Sequence, residues 1–192
     1  LQISFLITPF NRLIMIQAND YSKLSNFKTV DPKNLEEMVS LYKIKKGTNV
    51  LIWTDNKKGS IAPRIAKTFY DELKEMGCNI SLIVGKPTTK IGFAPKRINE
   101  AIFSLGEGDV FAVIASHGKG YTSKNKKRVL IKKLIAKQGF RMISMSSLAS
   151  LKSNKVNAFL KSFTPDQKEV ESLNKRIARA MEKTSEVRIT CS

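Results

Sequence analysis

The residues best suited to ligand binding lie together at positions 115–124, in the segment ASHGKGYTSK. This segment follows an apolar run that predicts a buried strand, and it combines hydroxyl, imidazole and ammonium groups with two glycines. Backbone amides at the start of a helix bind phosphate or carboxylate groups, and nearby lysines add positive charge. The segment therefore predicts an anion or substrate site with contacts from Ser116, His117, Lys119, Thr122 and Lys124.

We assign no catalytic residue and no metal ligand to this segment. Ser116 and His117 are adjacent, and adjacent side chains in an extended segment point to opposite sides. No G-x-S-x-G turn surrounds the serine. His117 is the single histidine of the chain, and the scattered carboxylates lack the spacing of a metal site.

A second strand-to-helix turn, TDNKKGS, follows the first apolar run. It contains one glycine, and it matches neither the dinucleotide-binding nor the P-loop glycine motif. Two roles are open to Asp55 and Ser60, namely ligand contact and capping of the next helix. Capping is favoured, because serine and aspartate are preferred at helix N-termini.

Alternating strands and helices must position these turns. Apolar runs predict strands at residues 49–54, 79–84, 109–115 and 141–145. Helices are predicted to begin at Pro32, Ser60, Pro95 and Lys124. The first is predicted to end at residues 45–47, the second at Gly77, and the fourth at Gln138 before Gly139. This order predicts an α/β domain with an open, mostly parallel, Rossmann-like sheet, right-handed crossovers and helices on both faces.

The domain is predicted to cover residues 33–150. Residues 1–32 form an N-terminal extension, of which residues 1–14 are either an upstream addition or an ordinary strand or helix. Residues 151–192 form a helical connector and the start of a second, truncated domain, with a final strand at residues 186–191. The long helix of this connector is predicted to bury Val170, Leu173, Ile177, Ala180 and Met181.

From Val110 to Pro165 the chain has no acidic residue, although this interval carries twelve lysines and arginines. The net charge is +18, and the hydrophobic fraction of 42% is typical of a globular protein. Either these charges lie on solvated faces of a lysine-rich protein, or they form a surface for nucleic acid or another polyanion. The absence of a known nucleic-acid-binding motif favours the first interpretation; the second places the patch at Lys126, Lys127, Arg128, Lys132 and Lys133.

The remaining composition predicts a cytoplasmic protein that does not bind membranes. Cys78 and Cys191 are far apart, which fits a reducing cytosol and excludes a disulfide framework. The apolar segment at residues 1–16 is interrupted by Pro9, Asn11 and Arg12, so it is too short to span a bilayer.

Several segments resemble the metal-dependent thermophilic aminopeptidases, the aminopeptidase T or leucyl aminopeptidase family. GTNVLIWTD and SIAPRIAKTFYDELKEMGCNISLIV resemble the opening strand–helix–strand unit of that family. GDVFAVIASHGKGYTSKNKKRVLIKKLIAKQGFRMISMSSL resembles the next unit, and VESLNKRIARAMEKTSEVRIT resembles the helix and strand that lead into its second domain. The resemblance covers residues 33–192 and includes no catalytic signature. Ser146 and Ser147 stand where the family often has Pro-Gly, and the strong basicity also departs from the family.

The resemblance implies the N-terminal α/β domain of a two-metal exopeptidase of the hydrolase class, which forms a homodimer. In the family, the Glu, His and Asp ligands of a zinc- or cobalt-type divalent metal lie in the C-terminal domain, and no position here matches them. This chain is therefore expected to hold no cofactor by itself. It is expected to meet a peptide substrate only where a catalytic domain is present.

Overall fold

The computed structural model describes residues 18–87, 95–117, 121–124, 127–151, 153–161 and 167–182. Its strands are β1 (Asn49–Asp55), β2 (Asn79–Gly85), β3 (Val110–Ile114), β4 (Tyr121–Lys124), β5 (Lys127–Leu130) and β6 (Arg141–Met145). Four of them form one parallel sheet in the order β2-β1-β3-β6. Strands β4 and β5 form a separate antiparallel pair.

The described residues include six α-helices. They are α1 (Lys33–Leu41), α2 (Ala62–Glu75), α3 (Lys96–Ser104), α4 (Ile131–Gln138), α5 (Val156–Lys161) and α6 (Gln167–Glu182). No helix among the described residues is long and apolar enough to cross a membrane.

Two apolar clusters cover the two faces of the parallel sheet. Helices α1, α2 and α5 pack on one face, where Phe69 and Leu73 meet Val50 and Ile52 of β1. Helices α3 and α4 pack on the other face, against side chains that include Trp53 and Phe111. Every residue of β3 is buried, as expected for a parallel strand that is covered on both sides. The predicted α/β class, an open Rossmann-like sheet with helices on both faces, is confirmed.

Glycines follow α2 and α4 where the sequence predicted that these two helices would end. Gly139 follows α4 in the left-handed conformation, with φ of 74°, and its amide bonds to the carbonyl of Ile135. Gly77 follows α2 with the same φ. Both positions avoid the steric penalty that a side chain would meet at this φ.

The first predicted helix is shorter than expected. Asp31 accepts a hydrogen bond from the amide of Lys33 (3.1 Å), so it satisfies one donor at the start of α1. The helix ends at Leu41, before the predicted stop at residues 45–47. Lys43 adopts a positive φ of 51°, which is incompatible with a continued α-helix.

The fourth predicted helix was wrong in its first half. The helix begins at Ile131, and the residues assigned to its start include the last residue of β4 and all of β5 instead. Leu130 is extended, with φ of −73° and ψ of 130°, so it cannot belong to the helix.

The predicted burial of the long helix was also wrong. Leu173, Ile177 and Met181 on α6 are 50%, 47% and 54% exposed, and Ala180 is exposed as well. The side chain of Val170 and the predicted strand at residues 186–191 lie outside what the structure describes. Apolar spacing indicated a stripe on this helix, but spacing alone does not say which element packs against it.

Residues 18–20 lie along the outer edge of β2. The amide of Asp20 bonds to the carbonyl of Leu82 (3.1 Å), and the amide of Leu82 bonds to the carbonyl of Ala18 (2.6 Å). Asn19 pairs with Leu82 as a parallel bridge. This segment therefore covers part of an edge that would otherwise expose unpaired backbone groups.

Asp20 anchors this segment. Its carboxylate accepts a hydrogen bond from the Val84 amide (3.0 Å) and pairs with Lys23 (3.1 Å) and Arg97 (3.0 Å). Burial raises the pKa of Asp20, but the Val84 amide and the two cations outweigh it, so the pKa lies below the ordinary value of 3.8.

The lowered pKa of Asp20 makes stability depend on pH. A carboxyl whose pKa is lower in the folded state stabilises the fold above its unfolded pKa, and this contribution disappears as the pH falls through the folded pKa. Above about pH 5, we expect the free energy of unfolding of the wild type to exceed that of Asp20→Asn by a constant amount. Below about pH 4, this difference should shrink. Urea unfolding across this range measures the difference. A difference that persists unchanged at about pH 2 would contradict the assignment.

Candidate functional site

The strand order of the parallel sheet reverses between β1 and β3, and we call the region outside the carboxyl ends of these two strands the strand-end crevice. The chain runs from β1 to β2 on one side and then returns to β3 on the other side of β1. In open parallel sheets, ligands bind outside the carboxyl ends of the strands at the point where the strand order reverses. Asp55 is the last residue of β1, and Ser116 follows β3 after a single residue, so both lie at this point.

A buried hydrogen-bond network joins these two strand ends. The Asp55 carboxylate accepts bonds from the Ser116 amide (2.8 Å), the Ser116 hydroxyl (2.6 Å) and the Lys57 amide (3.2 Å). Asp55 is 1% exposed and Ser116 is 0% exposed. Such charge-assisted bonds are stronger than neutral ones, so the network fixes the position of one strand end relative to the other.

Ser60 connects the network to α2. Its hydroxyl oxygen lies 2.7 Å from that of Ser116 and accepts a bond from the Ala62 amide (3.2 Å) at the first residue of the helix. An ionised carboxylate can only accept, so Ser116 donates to Asp55 and Ser60 donates to Ser116. Ser60 therefore satisfies an amide at the start of α2, as the sequence predicted. The capping role predicted for Asp55 is wrong, because its carboxylate bonds to Ser116 and to the turn amide of Lys57.

A lysine and a histidine that are close in sequence to members of this network contact each other. Lys57 Nζ is 3.0 Å from Nε2 of His117, and both residues are half-buried. An ammonium group only donates, so Nε2 is the acceptor and the neutral imidazole carries its proton on Nδ1. The pair brings together one side chain from the β1–α2 turn and one from the segment after β3.

This arrangement suits anion binding better than nucleophilic catalysis. Ser116 is buried and bonded to Asp55, whereas His117 contacts Lys57, so the two neighbouring side chains have different partners. Within the part of the chain that the structure describes, no three His, Cys, Asp or Glu side chains are grouped to hold a metal ion. The Lys57 ammonium and the His117 imidazole N–H are the groups that a carboxylate or phosphate would bind.

A cavity of about 290 Å³ lies at the same end of the sheet, lined by Phe27, Gly59, Ser60, Ile61, Arg64 and Leu151. Its arginine is occupied, because Arg64 donates to the backbone carbonyls of Lys28 (3.1 Å) and Thr29 (3.2 Å). We therefore assign the anion contact to Lys57 and His117 rather than to this cavity.

The structure separates the residues predicted for the anion site. Ser116 and His117 both lie where the strand order reverses, where Ser116 bonds to Asp55 and His117 contacts Lys57. Thr122 and Lys124 lie on β4, and Lys119 lies outside the described residues. Lys57 was missed by sequence reasoning, although the rule that parallel strand ends converge could have placed its turn beside His117.

The residues of the predicted polyanion patch lie on two elements. Lys127 and Arg128 belong to β5, and Lys132 and Lys133 are exposed on α4. Lys126 lies outside the described residues.

The fold and the strand-end crevice define the class of this protein, which is a Rossmann-like α/β domain with helices on both faces of a parallel sheet. The chain matches no protein-family model, no curated protein and no solved structure.

Proposed function

We propose that this chain is a ligand-binding α/β domain that holds a small carboxylate or phosphate group between Lys57 and His117. The carrying observation is the 3.0 Å contact of these side chains at the reversal of the strand order. The ammonium group supplies positive charge, and the Nδ1–H of the imidazole supplies a hydrogen-bond donor.

The Asp55–Ser116–Ser60 network supports this function by positioning the crevice. It ties the β1–α2 turn, the end of β3 and the start of α2 into one hydrogen-bonded unit. A binding group that is already held in place loses less conformational freedom when a ligand arrives.

The finer proposal is that the domain belongs to an aminopeptidase-like protein of the leucyl aminopeptidase type. Its support is the strand–helix order of residues 33–150 together with the resemblance of the segments around Trp53 and His117. In such a protein, the crevice would hold a carboxylate of an amino acid or peptide. A separate domain would supply the divalent metal and the hydrolytic chemistry, and a homodimer is the expected assembly.

Replacing Lys57 with Ala should weaken ligand binding about tenfold to a hundredfold. The change removes a hydrogen bond to a charged group, which contributes about 1.5–3 kcal/mol. Isothermal titration with L-leucine, leucylglycine and inorganic phosphate measures the affinities, and it separates a carboxylate site from a phosphate site. Lys58→Ala is the matched control, because Lys58 is the exposed neighbour of Lys57.

Equal affinities for Lys57→Ala and Lys58→Ala would contradict the proposal that Lys57 binds the ligand. The absence of binding for all three probes would contradict it as well. The aminopeptidase proposal has a separate test. We expect no hydrolysis of leucyl p-nitroanilide by the 192 residues in the presence of Zn²⁺ or Co²⁺. Hydrolysis by this chain would contradict the placement of the metal site in another domain.

A further inference from the structure

The antiparallel pair β4–β5 concentrates positive charge at one end. Its register places Lys124 opposite Lys127 and Ser123 opposite Arg128. Like charges that are directly opposite each other on neighbouring strands are destabilising. Two residues connect the strands in sequence. Lys124 and Lys127 flank this connection, and Arg128 is the next residue of β5.

The adjoining helix continues this charge. Helix α4 begins directly after β5 and presents Lys132, Lys133 and Lys137 to solvent. The interval from Val110 to Pro165 contains no acidic residue. Among the described side chains, ion pairs involve Lys23, Lys96 and Arg97, and none includes a lysine of α4. The exposed lysines of α4 therefore have no ion pair within the described part of the chain.

We infer that the β4–β5 pair and α4 form a binding surface for the phosphate backbone of duplex DNA. The contributing cations are Lys124, Lys127, Arg128, Lys132, Lys133 and Lys137. Phosphates would relieve the repulsion between the opposed lysines, and the bound counterions would be released. A two-stranded antiparallel ribbon also fits the width of the major groove.

The surface suits nucleic acid better than a membrane. Peripheral membrane binding needs apolar side chains that insert beside the basic ones. The exposed large apolar side chains of the described residues are Leu41, Leu173, Ile177 and Met181, and none of them lies on α4. Duplex is favoured over single strands because Tyr121 is the one aromatic residue in this stretch of sequence from 121 to 139, whereas single-strand binding relies on several stacked aromatics.

The test is fluorescence anisotropy with a labelled DNA duplex of about 20 base pairs, at salt concentrations from about 50 to about 200 mM. With six phosphate contacts, we expect the affinity of the full chain to fall about a thousandfold over this range. The variant Lys124→Gln/Lys127→Gln/Arg128→Gln removes three contacts, so the slope of log affinity against log salt should decrease by about 2.7. The control Lys28→Gln/Lys45→Gln/Lys74→Gln removes the same net charge from exposed positions outside the interval and should keep the slope.

Circular dichroism melting of both triple variants checks that they fold. Absence of DNA binding at about 50 mM salt would overturn the inference. So would an equal loss of slope in both variants, which would show that total charge matters and this surface does not. Binding to vesicles of phosphatidylcholine and phosphatidylserine without binding to DNA would assign the surface to lipid instead. The crevice proposal is unaffected by any of these outcomes, because it rests on Lys57 and His117.

Discussion

Asp55→Asn should lower the free energy of unfolding by about 3 kcal/mol. The carboxylate accepts bonds from the Ser116 amide, the Ser116 hydroxyl and the Lys57 amide at a site that is 1% exposed. Asparagine keeps one acceptor oxygen and turns an NH₂ donor toward a second donor. A buried donor that loses its partner costs about 1–3 kcal/mol, and the bonds lost here are to a charged group.

Urea unfolding at neutral pH measures this loss, and it corresponds to a fall in Tm of roughly 6–12 °C for a chain of this size. Asp31→Asn is the matched control, because Asp31 is exposed and asparagine caps a helix about as well as aspartate. We expect that control to stay within about 0.5 kcal/mol of wild type. A change of less than about 1 kcal/mol for Asp55→Asn would show that the network does not hold the strand ends together.

The second large effect is expected in the core beneath α3 and α4. Phe111→Ala should cost about 4 kcal/mol, since burying a phenyl ring and avoiding a cavity contribute about 3–5 kcal/mol. Phe111 is 0% exposed on β3, and its ring meets that of Phe140 edge-on at 6.5 Å between centroids. Such a pair adds about 0.5–1.5 kcal/mol beyond the buried area.

Chemical denaturation of Phe111→Ala and Phe27→Ala separates burial from residue type. Phe27 is half-buried, so the same change should cost clearly less there. If both variants lose similar stability, Phe111 is not part of a close-packed core. Phe140→Ala in the Phe111→Ala background gives the interaction energy of the two rings by a double-mutant cycle.

The sheet could be predicted because its signals are local. Continuous apolar runs around Trp53 and Phe111 indicate strands that are covered on both faces, and β6 was predicted with its bounds. Gly77 and Gly139 marked helix ends correctly, because the left-handed conformation at these positions favours glycine.

The antiparallel pair was missed because a stronger local signal masked it. Leu130, Ile131, Leu134 and Ile135 have helical spacing, and the prediction extended that helix backward through the basic residues. The alternative signal was the β-forming composition of Tyr121, Thr122 and Val129 on either side of a short polar connection. Propensity over four residues is a weak indication, so tertiary pairing decided the outcome.

The site was predicted in part for a similar reason. Ser116 and His117 were selected from their own segment, whereas their partners Asp55 and Lys57 lie in another turn. Asp55 is 61 positions from Ser116 in sequence, and Lys57 is 60 positions from His117. Such pairings follow from the strand order, which the sequence did not establish, and not from spacing along the chain.

The position of residues 18–20 on β2 has a consequence for the order in which the chain assembles. Asp20 bonds to Val84, 64 positions later, so this segment leaves the ribosome long before its partner strand exists. We expect the unit β1–α2–β2 to close first, because its strands are joined by a short crossover. Residues 18–20 are synthesised before every described strand, but they are therefore expected to be among the last to pack on this side of the sheet. Until they do, the outer edge of β2 stays open to other extended chains.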